Sequence, residues 1–420
     1  MSLPQADVSR PRRQAGIPFI LVTIFLDVLT FGLVIPVMPA LIQHFSADEA
    51  SAAWWMGLMV ASFSIMQFLF APVLGALSDR FGRRKVILAS VAGAGIDQLF
   101  MAFAPGLGWL LVARLIAGLT AANITAANAY IADISGPENR ARNFGMVGAA
   151  FGIGFIAGPA LGGLLGEIHL RLPFMVAAGL AGLNFLYGLF VLPESLAPAN
   201  RRPFNWRRAN PIGSLTALAR HPAVLGLAAS RTCAVLAMGI LQTVWVLYTT
   251  KRYGWGELDN GLSLAAVGLA TAVVQGVLIS RIVRGLGETK TILLGLSLEA
   301  IAYIGYGSAT GGLFFYSFIL VHAMSGISSP AIQSVVSRTV GADEQGSVQG
   351  ALASVQSLTF IFAPLIGAEL FARFTATGAT LPIPGMPFYF GGAMLVLAVF
   401  IAAWALRRTP TPAPIPAESA

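Results

Sequence analysis

Residues 75–85, Gly-Ala-Leu-Ser-Asp-Arg-Phe-Gly-Arg-Arg-Lys, set five charges between two long apolar stretches. The flanking residues 54–74 and 86–104 contain one acid, Asp97, and no base. About 20 apolar residues are enough for a helix to cross a bilayer, and both stretches reach that length. The charged run therefore reads as a tight turn between two membrane helices. Its four bases, Arg80, Arg83, Arg84 and Lys85, place the turn in the cytoplasm by the positive-inside rule.

The composition agrees. The 420-residue chain is 56% hydrophobic and 10% charged, with mean hydropathy +0.76. A soluble domain carries about 25% charged residues, so lipid is the main solvent. The net charge of +8 comes from bases scattered over short loops. That pattern suits anionic lipid headgroups and not nucleic acid. Cys233 is the single cysteine, so neither an intrachain disulfide nor a thiolate cluster can form. The four histidines lack ligand spacing, and no metal or cofactor is expected.

Twelve helices are expected, near 17–43, 53–77, 86–104, 109–133, 143–166, 173–192, 222–250, 259–283, 290–309, 312–337, 346–373 and 386–406. Asp27 interrupts the first apolar run, which has no small-residue cleavage site and reads as a retained span. Of 26 Lys and Arg residues, 20 then fall on the cytoplasmic side, with both termini there. Residues Gly158-Pro159-Ala-Leu-Gly162 are echoed by Ala363-Pro364-Leu-Ile-Gly367 at an offset of 205, which Gly145 and Gly350 share. The expected organisation is a tail (1–16), a six-helix half (17–192), a cytoplasmic loop (193–221), a second six-helix half (222–407) and a Pro-rich tail (408–420). The fold class is thus an all-α integral membrane protein of two pseudo-symmetric halves, with the site between them at mid-membrane.

The motif Gly75-x-x-x-Asp79-Arg80-x-Gly82-Arg83-Arg84 resembles the loop between helices 2 and 3 of the major facilitator superfamily. Closer still, the chain looks like a tetracycline/proton antiporter. The residues that carry this are Leu26-Asp27-Val28, Ile35-Pro36-Val37-Met38-Pro39, Met66-Gln67-Phe68-Leu69, Ile96-Asp97, Arg114-Leu-Ile-Ala-Gly118 and Arg140-Ala-Arg-Asn-Phe-Gly145. Gln345-Gly-Ser-Val-Gln-Gly350 adds to them in the second half. The resemblance implies a proton-coupled exporter of small amphipathic compounds in the cell's inner membrane, working by alternating access as a monomer. Proton symport of a metabolite or metal chelate on the same fold is the alternative. A phosphate-binding Gly-x-x-x-x-Gly-Lys-Ser/Thr loop is absent from the sequence, so ATP is not the expected energy source. The chain is not expected to be an enzyme.

Ionisable side chains within spans are costly and are functional candidates. Asp27, Arg114, Glu299 and His322 are the expected proton-coupling residues. Asp27 lies about 15 Å into the first helix at 1.5 Å per residue, with Phe31, Val34 and Met38 on its face. It either exchanges a proton or forms a structural pair with Arg114. Arg114 stays charged and can only tune a neighbouring acid; in the resembled family the matching arginine is tied to proton coupling. Phe31, Met38, Gln67, Asp97, Asn128, Arg231, Gln242 and Trp245 are the expected substrate contacts. Arg231 either faces the cavity, favouring an anionic ligand group, or snorkels to the cytoplasmic surface. His322 is either a proton relay or a packing residue. Gly75, Asp79, Arg80, Gly82, Arg83, Arg84, Gly158 and Pro159 read as conformational motifs. Three departures from the resembled family stand out: Thr271 replaces its helix-8 histidine, the helix-9 acid is Glu299, and Arg231 is an added base.

Overall fold

The structure is a computed structural model that describes residues 16–121, 123–201, 222–340, 345–376, 379 and 381–408. Most of the expected cytoplasmic loop and both expected tails lie outside these residues. Among the described residues the fold is helical throughout, and twelve helices are long and apolar enough to cross a membrane. Spans 1–6 are Gly16–Val34, Glu49–Phe81, Arg83–Ala102, Leu107–Ile134, Glu138–Ile168 and Leu172–Val191. Spans 7–12 are Val224–Tyr253, Glu257–Gly276, Gly285–Ser308, Gly312–Thr339, Val348–Thr375 and Met386–Leu406.

Three spans depart from the expected unbroken helices. Span 1 ends at Val34, and a short helix, Met38–Phe45, follows a turn. Pro36 has no N–H and its ring crowds the carbonyl four residues back. The turn is closed instead by three-residue bonds from Ile35 N to Gly32 O (3.3 Å) and from Val37 N to Val34 O (3.2 Å). Met38 therefore does not continue the face of Asp27 and Phe31. Span 4 divides into Leu107–Thr120 and Asn123–Ile134, so Arg114 and Asn128 sit on separate helices. Span 10 divides at Gly326–Ile327 into Gly312–Ser325 and Ser328–Thr339.

The turns after spans 2 and 8 repeat each other. Gly82 and Gly287, 205 positions apart, both have positive φ, 102° and 72°, a conformation open to glycine and strained for residues with a Cβ.

The two sets of six spans meet along two seams, span 2 with span 11 and span 5 with span 8. Contact is close at the end opposite the basic turns. A side-chain carbon at Gly57 would stand 2.9 Å from Pro364 O, one at Gly163 2.5 Å from Glu257 O, and one at Gly261 2.3 Å from Pro159 O. Lys251 Nζ pairs with the Glu49 carboxylate at 2.6 Å across the same end. Toward the basic-turn end the seams part: around Gly75, Gly145, Gly148 and Gly152 no atom of another described helix lies within 4 Å of where such a carbon would stand. The described helices are thus closed at one end and splayed at the other.

The glycines of span 5 divide between two tasks. Gly154, Gly158 and Gly162 let span 5 approach span 1, with Gly158 against Gly32 and Gly162 against Leu33 O. Gly163 faces span 8 instead, as does the carbonyl of Pro159, whose ring lies against Gly32 on span 1. Small residues allow such backbone contacts between membrane helices.

Candidate functional site

Where spans 2 and 11 begin to part, a cavity of about 320 Å³ opens between them, lined by Ser64, Gln67, Ala353, Gln356, Ser357 and Phe360. The lining residues fall at i, i+3 on span 2 and at i, i+3, i+4, i+7 on span 11, the spacing of one helical face. Ser64 donates to Val60 O within its own helix (2.9 Å). The side chains of Gln67, Gln356 and Ser357 make no hydrogen bond to described residues. Gln67 was expected from the sequence. Gln356, Ser357 and Phe360 were not, although two adjacent polar residues in an apolar span were a usable signal.

The first six spans contain a buried ion pair. Arg114 donates from Nη2 to Asp97 Oδ2, and Gln98 Nε2 donates to the same oxygen at 3.0 Å. Asp97 is 2% exposed and Arg114 8%. Asp97 Oδ1 and Arg114 Nε are buried with no hydrogen-bond partner among the described residues. Asp97 thus lies inside the helix bundle, and its carboxylate is a described partner of Arg114. The packing of span 4 on the adjacent span 3 brings the Asp97 carboxylate to Arg114. Asp27 is half-buried on span 1 and has an interaction of its own, and Phe31 beside it is 54% exposed.

The last six spans hold a polar string. Arg231 on span 7 donates to Ser329 Oγ on span 10 at 2.8 Å, and it interacts electrostatically with Glu299 on span 9. Arg231 is therefore engaged with neighbouring spans 9 and 10. One turn on from Glu299 is Tyr303, whose buried hydroxyl has no described partner. The Tyr303 ring stacks edgewise on His322, 5.6 Å between centroids. His322 Nδ1 shares a 3.2 Å hydrogen bond with Tyr306 OH. Arg231, Glu299, Tyr303, His322 and Tyr306 thus bring titratable groups from three spans together.

Trp245 and Met38 were expected to touch substrate, yet both are buried. Trp245 donates to Ser263 Oγ (3.0 Å) and packs on Tyr306 and Phe315. Met38 is 6% exposed within the cluster of Leu41, Ile42 and Met59. Large apolar side chains win more from close packing than from an open cavity wall. Gln242, three residues before Trp245 on span 7, is exposed, and Asn128 is half-buried.

At the basic turn, Arg83 organises its surroundings. Its guanidinium reaches Asp79 (2.6 Å), Asp133 (3.1 Å) and Ser78 (3.2 Å), while its backbone N–H donates to Glu194 (2.8 Å). Ser195 also donates to Asp133 (3.1 Å), and Arg84 donates to Leu189 O (2.5 Å). Arg80 lies over the Phe81 ring at 5.0 Å. In the second half Glu288 pairs with Arg338 and accepts from Ser334 at 2.7 Å.

These features define a transporter fold of two six-helix halves with a polar cavity on the seam. Residues 20–364 and 232–420 match the Major Facilitator Superfamily, and the chain belongs to it. The chain is 41% identical over 358 residues to the tetracycline resistance protein, class C, of Escherichia coli, covering 85% of this chain and 90% of that one. It is 38% identical over 354 residues to the class E protein of Escherichia coli, covering 84% and 87%. Among solved structures, the human organic anion transporter MFSD10 (TETRAN) superposes with a TM-score of 0.68 at 24% identity, covering 94% of this chain and all of that one. The nucleoside transporter NupG superposes with a TM-score of 0.74 at 14% identity, covering 92% and 98%. Both structures share the fold.

Proposed function

We propose that this chain is a proton-coupled exporter of small amphipathic compounds of the tetracycline kind, working by alternating access. The observation that carries this reading is the 41% identity to a tetracycline resistance protein along 85% of the chain, a length that draws on both halves. The geometry supports it: titratable groups sit within the bundle on both sides of an uncharged cavity on the seam. With the basic turns cytoplasmic, the splayed end opens to the cytoplasm, so the arrangement is the inward-facing one that loads an exported compound. The Asp97–Arg114 pair and the Arg231–Glu299–His322 string then hold or tune the coupled proton, with Asp27 at the wall of span 1. Closing the splayed end requires the turn at Gly75–Arg84 to meet the facing half, and in the splayed state Asp79 is occupied by Arg83.

The test is transport into inside-out vesicles containing the purified chain. Tetracycline should accumulate when the vesicle interior is acidic, and the gradient should collapse the accumulation when dissipated with nigericin. Accumulation that persists without a proton gradient overturns the reading.

A further inference from the structure

We propose that Gln67 and Gln356, one from each half, form an amide clamp that binds an uncharged hydrogen-bonding edge of a planar substrate, with Ser357 beside it and Phe360 as a stacking face. This rests on the exporter reading above and names how that site chooses its substrate.

The register of the two helices brings the amides level. Spans 2 and 11 touch at Gly57 and Pro364. Gln67 lies ten residues from Gly57 and Gln356 eight residues from Pro364, about 15 Å and about 12 Å along their helices at 1.5 Å per residue. Both distances run toward the splayed end, so the two amides face one gap at similar depth. Ala353 leaves room between them, and Gly239 on span 7 lies against Phe360, 3.4 Å from where a side-chain carbon would stand. A glycine there lets an edge of the Phe360 ring approach span 7.

The chemistry of the lining selects the ligand. Each glutamine offers two donors and one acceptor, and Ser357 offers one donor and lone pairs. None of the three is used by described residues, so their donors and acceptors are open to a ligand. No lining residue is charged, so a charged ligand group would find no counter-ion. A neutral group with adjoining donor and acceptor, such as a carboxamide or an enol beside a ketone, satisfies both amides at once. A volume of about 320 Å³ is at the small end of the ~300–1,000 Å³ usual for small-molecule sites, so the clamp holds one edge of a drug-sized molecule. The substrate then spans both halves, and its binding depends on the width of the seam.

The experiment is equilibrium binding to the full chain in nanodiscs. Two probes are used: tetracycline and its analogue with a nitrile in place of the carboxamide. The native chain should bind tetracycline about tenfold more tightly, the ratio that ~1.4 kcal/mol supplies. Gln356→Met and Gln67→Met should each bring the two probes to within about twofold of each other. Phe360→Leu should weaken both equally. If Gln356→Met does not fold, Ser357→Ala, which removes one hydroxyl, should narrow the ratio in the same direction. A native-like ratio in the glutamine and serine variants overturns the clamp and leaves the exporter reading standing. Failure of the native chain to bind either probe overturns both.

Discussion

Arg83 and Glu288 stand 205 positions apart and carry opposite charges, yet each closes the same ion pair in its own half. The partners, Asp133 and Arg338, are also 205 positions apart and also reversed. Each pair follows directly on a positive-φ glycine, Gly82 or Gly287. The geometry of the tie is repeated while its polarity is not. What the turn needs is an attachment to the end of span 4 or span 10, and an ion pair of either polarity supplies one.

Charge reversal tests this directly. Glu288→Arg alone should lower proton-driven transport at least several-fold, and Glu288→Arg with Arg338→Glu should restore most of it. In the first half the double reversal Arg83→Glu/Asp133→Arg should restore less. Arg83 also serves Asp79, and a glutamate there would face Asp79 and the nearby Glu194. Equal recovery in the two halves would show that Asp79 and Glu194 do not depend on the charge of residue 83.

Gly163→Leu should hold the closed end apart. A carbon at Gly163 would lie 2.5 Å from the Glu257 carbonyl oxygen, and backbone on span 8 cannot yield as a side chain would. Labelling of Ile156→Cys in a Cys233→Ala background should rise for an impermeant thiol reagent applied outside. Unchanged labelling with normal folding would show that the seam tolerates the bulk.

Asp27→Asn, Glu299→Gln and Arg114→Ala should each uncouple transport from the proton gradient. Arg114→Ala should also destabilise the protein, because it strands the Asp97 carboxylate; loss of one partner of a buried pair costs about 3–5 kcal/mol. Thermal unfolding in detergent reads the stability, and vesicle uptake reads the coupling. Gradient-driven accumulation at native level by all three would remove these residues from the proton path.

Arg231→Ala should weaken acidic or zwitterionic substrates more than neutral ones of equal size. Among the described residues its guanidinium holds Ser329 by hydrogen bond, and it lies in the field of Glu299. Competition between the acid and amide forms of one compound gives the comparison. Equal loss for both forms would reduce Arg231 to a tie between spans 7 and 10.

Topology has its own check. Single cysteines at position 205 and at Ser46, in a Cys233→Ala background, should react from the cytoplasm and from outside respectively. The opposite pattern would invert the assignment of the splayed end.

The sequence by itself determined the twelve spans, the 205-residue repeat and the residue types inside the membrane. A bilayer reads these in one dimension: a span needs length and apolarity, and a buried charge stands out against them. The broken helices were harder to see. Pro36 was visible in the sequence, but apolar residues continue on both sides of it, so hydropathy ran across the turn. Partners were decided by tertiary structure alone. The sequence left the partner of Arg114 open, and the packing of span 4 against span 3 is what brings Asp97 to it. Trp245 and Met38 looked like cavity walls on a helical wheel, but which face meets a neighbour depends on helix rotation and helix breaks. Gln356 gained meaning only when span 11 was set beside Gln67 on span 2. Periodicity fixes what a helix can bury, while the approach of helices far apart in the chain fixes what each buried group meets.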